Sequence, residues 1–411
     1  MKRPIAIGLS PNLEGKDILF AFRLLCMPTR WLRGNGEKRL EAWFNTFFAP
    51  FSTISFVSGR GALFAVLKAF DIKAGDEVIL QAFTCSVVPN AILACGATPI
   101  YADITDSLTF DSKRIEQKIS KKTKAIIVQH TFGIPSDMEV ICSIAKQHKL
   151  FVIEDCAHVI GGELKGQKLG TFGDAAIFSF GRDKAFSSVF GGVAITKEKD
   201  VVKRLQQIQQ LQAYPSVFWL LQQLLHPIAA GIVLPLYDFF GIGKLLLVLF
   251  QKLKLLSFPI KSEEKKGKMS IFFVKKMPNA LAELALFQLS RLSEFNKKRA
   301  EAASSYLEAF GVQNKIIEQQ KMPLLRFPLF VQNRDKLLFL AKKQHIYLGA
   351  WYSEIIDPKG VFLEKVYYKR GSCPKAENIA ERIINLPTYP TLSKGERERV
   401  INFMKVYVRN S

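Results

Sequence analysis

The chain has 411 residues, of which 48% are hydrophobic and 23% charged, so disorder is excluded as its main state and two domains with full cores are within reach. A formal net charge of +22 points to an anionic partner such as a membrane surface or phosphorylated metabolites, whereas no zinc-finger spacing, helix-turn-helix signal or aromatic RNA-binding motif speaks for nucleic acid, and none is expected. The six cysteines (Cys26, Cys85, Cys95, Cys142, Cys156 and Cys373) are scattered without CxxC pairing, which reads as reduced thiols, favours the cytosol and suggests no metal site.

The first residues, MKRPIAIGLS, are interrupted by Pro11 and Asn12 too soon for a signal peptide. Residues 1–50 then mix basic and aromatic side chains (Arg30, Trp31, Arg33, Trp43, Phe44, Phe47, Phe48), as in a helical arm that packs on the main domain or on a partner subunit. From Ile54 onward, short apolar runs (SFVS, DEVIL, TPIYAD, KAIIV, LFVIED, DAAIFSF, GGVAIT) alternate with helix-period stretches. Such alternation predicts βαβ units and a mostly parallel central sheet with helices on both faces. Between two of these elements, VSGRGALFAVLKAF passes through Ser58, Gly59 and Gly61 into a helix. That helix start can hold a phosphate on its free N–H groups, or it is an ordinary tight turn.

Leu150 to Thr196 carries the chemistry. Leu150 to Ile153 reads as a buried parallel strand, which puts Glu154 and Asp155 at its C-terminal end, where open α/β sheets place ligands. A second strand, Ala175 to Phe180, brings Ser179 to a similar level, and Lys184 follows in a loop closed by Gly191 and Gly192. A carboxylate, a hydroxyl and an amine together suit pyridoxal phosphate, whose aldehyde needs an amine, whose ring nitrogen needs a carboxylate and whose phosphate needs small donors. The same residues equally describe a buried helix-capping Asp and a solvated lysine.

Taken in order, the motifs SGRGAL (58–63), GDEVILQAFTCSVVPNAI (75–92), GATPIYADI (96–104), TKAIIVQHTFGIPSDM (123–138), IEDCAH (153–158), KLGTFGDAAIFSFGRDK (168–184) and GGVAIT (191–196) resemble the DegT/DnrJ/EryC1/StrS family of pyridoxal-phosphate-dependent sugar aminotransferases. Later matches are MPNALAELALFQLSRLSEFNKKR (277–299) and ERIINLPTYPTLS (381–393). The resemblance implies a type I aminotransferase fold and a homodimer. It makes residues 1–275 the cofactor-binding large domain and 276–411 a smaller C-terminal α+β domain. It implies Lys184 as the Schiff-base lysine, Asp155 on the pyridinium nitrogen, His158 near the ring oxygen, and Ser179 with the Gly59 and Arg60 backbone on the phosphate. The reaction implied is transfer of an amino group from an amino acid, glutamate, to a nucleotide- or lipid-linked keto-sugar. A fold kept for membrane-associated binding or regulation without turnover is the alternative.

Several positions depart from the family pattern. Arg60 stands where Thr is usual, Cys85 where an aromatic residue covers the cofactor ring, and Val274, ahead of Lys276-Met277, where an Asn often comes from the partner subunit. Charged contacts from Arg60 or Arg182 can replace lost phosphate donors.

The stretch 214–268 departs furthest, being strongly apolar before a KSEEKKGK flank. Ile228 to Phe250 could span a bilayer by length, but Pro235, Asp238, Gly241, Gly243 and Lys244 interrupt it, and one span would split the fold across the membrane. The basic flank favours helices lying in the cytoplasmic membrane interface as a peripheral contact, with Trp219, Phe239 and Phe240 inserted and Lys252, Lys254, Lys261, Lys265 and Lys266 facing anionic lipid. A helical hairpin buried against the domain or a partner subunit is the other reading. In the C-terminal part, RFPLFVQNRDKLLFLAKKQHIYLGAWYSEI predicts strand, helix and strand, with further helices around an NLPTYP turn. Trp351, Tyr352 and His345 can border the substrate cleft, although packing is their expected role.

Overall fold

The computed structural model describes residues 4–8, 10–311 and 322–408. Seven apolar runs become one sheet: β1 Ser52–Phe56, β2 Glu77–Gln81, β3 Thr98–Ala102, β4 Thr123–Gln129, β5 Phe151–Asp155, β6 Ala175–Ser179 and β7 Gly192–Thr196. Their spatial order is β1-β7-β6-β5-β4-β2-β3, and all neighbours are parallel except the two pairs formed by β7. Strands buried on both faces need unbroken apolar runs, which is what the sequence supplies.

Helices α1 Gly15–Leu25 and α2 Gly36–Phe47 precede the sheet. α3 Gly59–Ala69, α4 Val87–Ala94, α5 Ser112–Glu116, α6 Met138–His148 and α7 Lys199–Gln210 belong to its crossovers and its far end. Start signals work as their chemistry dictates: Ser58 accepts from the Gly61 N–H at the head of α3, and Asp137 from the Val140 N–H at the head of α6. The aromatic run in α2 is no loose arm. Phe44 and Phe48 lie against Phe178 of β6, with ring centroids 5.6 and 4.8 Å away, and Phe44 also meets Phe180.

The apolar stretch forms α8 Val217–Val233 and α9 Ile242–Lys252. α8 packs on α1, burying Leu220, Leu224, Ala230 and Val233. Gly231 permits the approach, since a Cβ there would lie 2.4 Å from Ile18 Cδ1. Trp219, expected to insert into lipid, instead packs edge-on between Phe190 and Phe272 at 5.3 and 5.2 Å. Lys265 is likewise drawn onto the protein, donating to the Lys359 carbonyl at 2.9 Å.

Helices α10 Asn279–Leu289 and α11 Leu292–Phe310 lead to the C-terminal part, in which β8 Arg326–Phe330 pairs antiparallel with β9 Ile383–Pro387 beside α12 Arg334–Lys343, α13 Pro374–Arg382 and α14 Lys394–Val408. The NLP of the expected turn is the end of β9, held in register with Arg326–Pro328. The pair Ile5–Ala6 runs parallel to Ile346–Tyr347, so these two residues join this part.

Candidate active site

At the C-terminal edge of the sheet, Asp155 ends β5 opposite Ile177 of β6. β6 ends at Ser179; the chain leaves through a loop carrying Lys184 and returns as β7, where Gly192 faces Ser179 on one side and Phe56 of β1 on the other. Just beyond Phe56, Ser58 turns the chain into α3. These backbones nearly touch: a Cβ on Gly192 would fall 2.4 Å from the Gly59 nitrogen, and one on Gly59 2.7 Å from Ser179 Cβ. Glycine is required at both positions for the head of α3 to stand beside the Ser179 hydroxyl.

A cavity of about 340 Å³ opens there, and it gathers Gly59, Arg60, Cys85, Asp155, His158, Ser179, Arg182 and Lys184, the positions expected around the cofactor. Lys184 is half-buried, and its amine makes no ion pair or hydrogen bond among the described residues; Nζ lies 5.4 Å from the centre of the Trp351 ring. Burial lowers its pKa, against the opposing influence of Cys85, Asp155 and Asp183. Asp155 accepts from the Ala157 N–H at 3.0 Å through Oδ1, which leaves Oδ2 for a ligand. Burial raises its pKa, a sign that the carboxylate lacks a cation close enough to balance it.

The tautomer of His158 follows from its partners. Nδ1 accepts from the Phe132 N–H at 3.1 Å, and burial holds the ring well below its ordinary pKa, so the neutral imidazole carries its proton on Nε2. Nε2 faces Tyr352 Oη at 3.3 Å and is the donor this wall presents. Cys85 is kept a neutral thiol by burial.

The two arginines proposed as substitutes for missing phosphate donors are already engaged. Arg60 pairs with the buried Glu264, donates to the Pro259 carbonyl at 2.8 Å and lies 4.2 Å over the Phe273 ring. Arg182 donates to Ser257 Oγ at 2.8 Å and covers Phe190; burial brings its pKa down to about 10, so it stays cationic near neutrality. Through these contacts the segment following α9 forms one wall, with Pro259 and Ile260 on the cavity.

Trp351, Tyr352 and Asp357 line the opposite wall, brought there by the C-terminal part. Trp351 stacks on His158, centroids 5.8 Å apart, with the Arg326 guanidinium 3.5 Å over its ring. The WY pair was visible as a cleft candidate, but only its neighbours in space separate lining from packing. His345 lies elsewhere, bonded to Asp238 at 2.8 Å.

Among solved structures, Helicobacter pylori PseC, an aminotransferase involved in the biosynthesis of pseudoaminic acid, superposes with a TM-score of 0.76 over all of both chains at 19% identity. NtdA from Bacillus subtilis, solved with bound cofactor PMP, gives 0.73 at 24% identity over all of this chain and 86% of its own. The fold is therefore that of pyridoxal-phosphate aminotransferases. The sequence profile of the DegT/DnrJ/EryC1/StrS aminotransferase family matches residues 14–215 and 250–405, and the chain belongs to that family. Curated relatives include GDP-perosamine synthase of Escherichia coli O157:H7, 28% identical over 94% of each chain, and dTDP-3-amino-3,6-dideoxy-alpha-D-galactopyranose transaminase of Aneurinibacillus thermoaerophilus, 28% identical over 95% of each.

The enzymes of this family use pyridoxal phosphate, and the residues present fit it. A buried carboxylate with a free oxygen, an unpaired, half-buried amine and a glycine-cleared helix start beside a hydroxyl are the three complements that this cofactor requires.

Proposed function

We propose that the protein moves an amino group from glutamate to a keto-sugar carried on a nucleotide, within surface-polysaccharide or glycan biosynthesis, acting as a cytoplasmic homodimer. The observation that carries the reading is the half-buried, unpaired Lys184 amine across one cavity from the partly free Asp155 carboxylate. The nucleotide sugars named in the curated relatives support the acceptor class.

When bound, pyridoxal phosphate supplies an aldehyde that takes up amines and a ring that stores an electron pair. The chain's own residues do the rest. Lys184, its pKa lowered by burial, would hold the cofactor and, as a free amine, would move the proton between carbon atoms. Asp155 accepts the ring N–H through the oxygen that Ala157 leaves free. His158 donates from Nε2 towards the ring oxygen. Ser179 Oγ and the Gly59 and Arg60 amides hold the phosphate, while the Arg60 side chain stays with Glu264. Cys85 offers no ring, and the Trp351 indole supplies the aromatic wall. The donor leaves as its 2-oxo acid and the keto carbon of the sugar becomes the amine.

The test is reconstitution followed by a screen. The wild-type protein with pyridoxal phosphate should give a visible absorption band that glutamate bleaches and a nucleotide-linked keto-sugar restores, and Lys184→Ala should lack the band. A protein that binds the cofactor without any donor-dependent bleaching would instead favour the non-catalytic reading.

A further inference from the structure

α9 wears its apolar face outward. Ile242, Leu245, Val248, Leu249 and Leu253 recur at helical spacing on the exposed side, while Gly243 is the only buried residue of the helix. Leu245 is 69% exposed and Leu253 58%; Phe240, at the turn before the helix, is 92% exposed and Phe258, after it, 62%. A surface helix of a globular protein normally turns this stripe to the core, and a contiguous apolar patch of this kind marks an interaction site. Residues 216–249, which include Phe240 and α9 up to Leu249, also fall outside the match to the family profile, so this part of the face lies beyond the shared catalytic frame.

Charge says what covers it. Lys252 and Lys254 are exposed at the end of the helix and Lys244 at its start. Between Ser216 and Lys261 the one acidic residue is Asp238, already bonded to His345 and Tyr347 and near Lys244. A second copy of the face would thus bring Lys252 and Lys254 to lysines, with no free carboxylate in this stretch to meet them. Anionic lipid headgroups are the complement, and apolar side chains ringed by lysines are the composition of an interfacial helix. No helix among the described residues is long and apolar enough to cross a membrane, so the contact is with the surface of the bilayer. We propose that α9 and its flanking Phe240 and Phe258 dock the enzyme on an anionic membrane surface, independently of the reaction it catalyses.

The test is co-sedimentation of the full-length, cofactor-loaded protein with vesicles of phosphatidylcholine containing about one-third phosphatidylglycerol, compared with phosphatidylcholine alone. Binding to the anionic vesicles that weakens with salt is expected. Lys252→Ser with Lys254→Ser should weaken it about 30-fold, and Leu245→Ser with Leu249→Ser roughly 100-fold, with the cofactor absorption band intact in both. If the leucine variant does not fold, the lysine variant decides. Equal binding to neutral vesicles, no binding at all, or binding that neither variant lowers would overturn the proposal. So would light scattering in which the leucine variant dissociates a dimer while the wild type ignores vesicles, because the face would then belong to a second copy.

Discussion

Replacing Gly59 by alanine tests whether the close approach of α3 to β6 makes the cofactor cradle. The new Cβ would stand 2.7 Å from Ser179 Cβ and 3.0 Å from its Oγ, whereas ordinary contact begins at 3.4 Å, so the helix start and strand end must part by about 0.7 Å. Neither side yields easily, because Ser179 is fixed in register with Gly192 and Ser58 caps the helix. Overpacking of this kind costs about 1–3 kcal/mol, and if about 2 kcal/mol of it falls on the loaded state the Kd for pyridoxal phosphate rises about 30-fold. Titration of the apo protein by absorbance measures this directly, with Gly395→Ala, whose Cβ meets nothing within 4 Å, as the control. A Gly59→Ala protein with the wild-type Kd and melting temperature would refute the assignment of this helix start to the phosphate.

Three further outcomes follow from the electrostatics. Lys184 has a lowered pKa in the folded chain, so the unfolded chain binds more protons between that value and the ordinary lysine range, and apo stability gains from this group as pH rises through that window; Lys184→Met should stabilise the apo protein near neutrality by about 1.4 kcal/mol per unit of lowering, an advantage that fades towards pH 10 in denaturant melts. Glu37 is raised to about 7 by burial and by Glu41, so its contribution is present below the ordinary glutamate range and lost as pH climbs through 7; Glu37→Gln should be more stable than wild type at pH 8 by about 2 kcal/mol, after allowance for solvent screening, and no more stable at pH 4. Arg60→Ala strands the buried Glu264 carboxylate and should destabilise by about 3–5 kcal/mol, with Glu264→Gln in the same chain recovering part of the loss; chemical denaturation of the four proteins closes the cycle, and a freely tolerated Arg60→Ala would disprove the pairing.

The sheet was legible because a strand buried on both faces has to be an apolar run, and each run from SFVS to GGVAIT became one. Asp155, Ser179 and Lys184 were legible because strand ends and the loop after them share one edge by topology alone. What the sequence could not reveal lies at long separations. Trp351 and Tyr352 reach His158 only after the C-terminal part has folded back, and no periodicity marks them. KSEEKKGK looks like a solvated charge run, yet Glu264 within it is buried against Arg60, 204 residues earlier. The apolar stretch defeated composition altogether, since its two helices do opposite things: α8 hides its stripe on α1 and α9 displays its own.

The reversed direction of β7 has a bearing on how such an enzyme can diversify. Because the strand enters at Gly192, level with Ser179, the segment bearing Lys184 is moored at both feet to the same main-chain edge that ends in Asp155. Inheritance can therefore act on two separate registers. The floor changes only if the backbone does, whereas Cys85, Ile260 and Trp351 stand on walls built by other parts of the chain and can be exchanged without moving the amine. Cys85 lies on that exchangeable rim, whereas Arg60 belongs to the head of α3 and is tied to the buried Glu264.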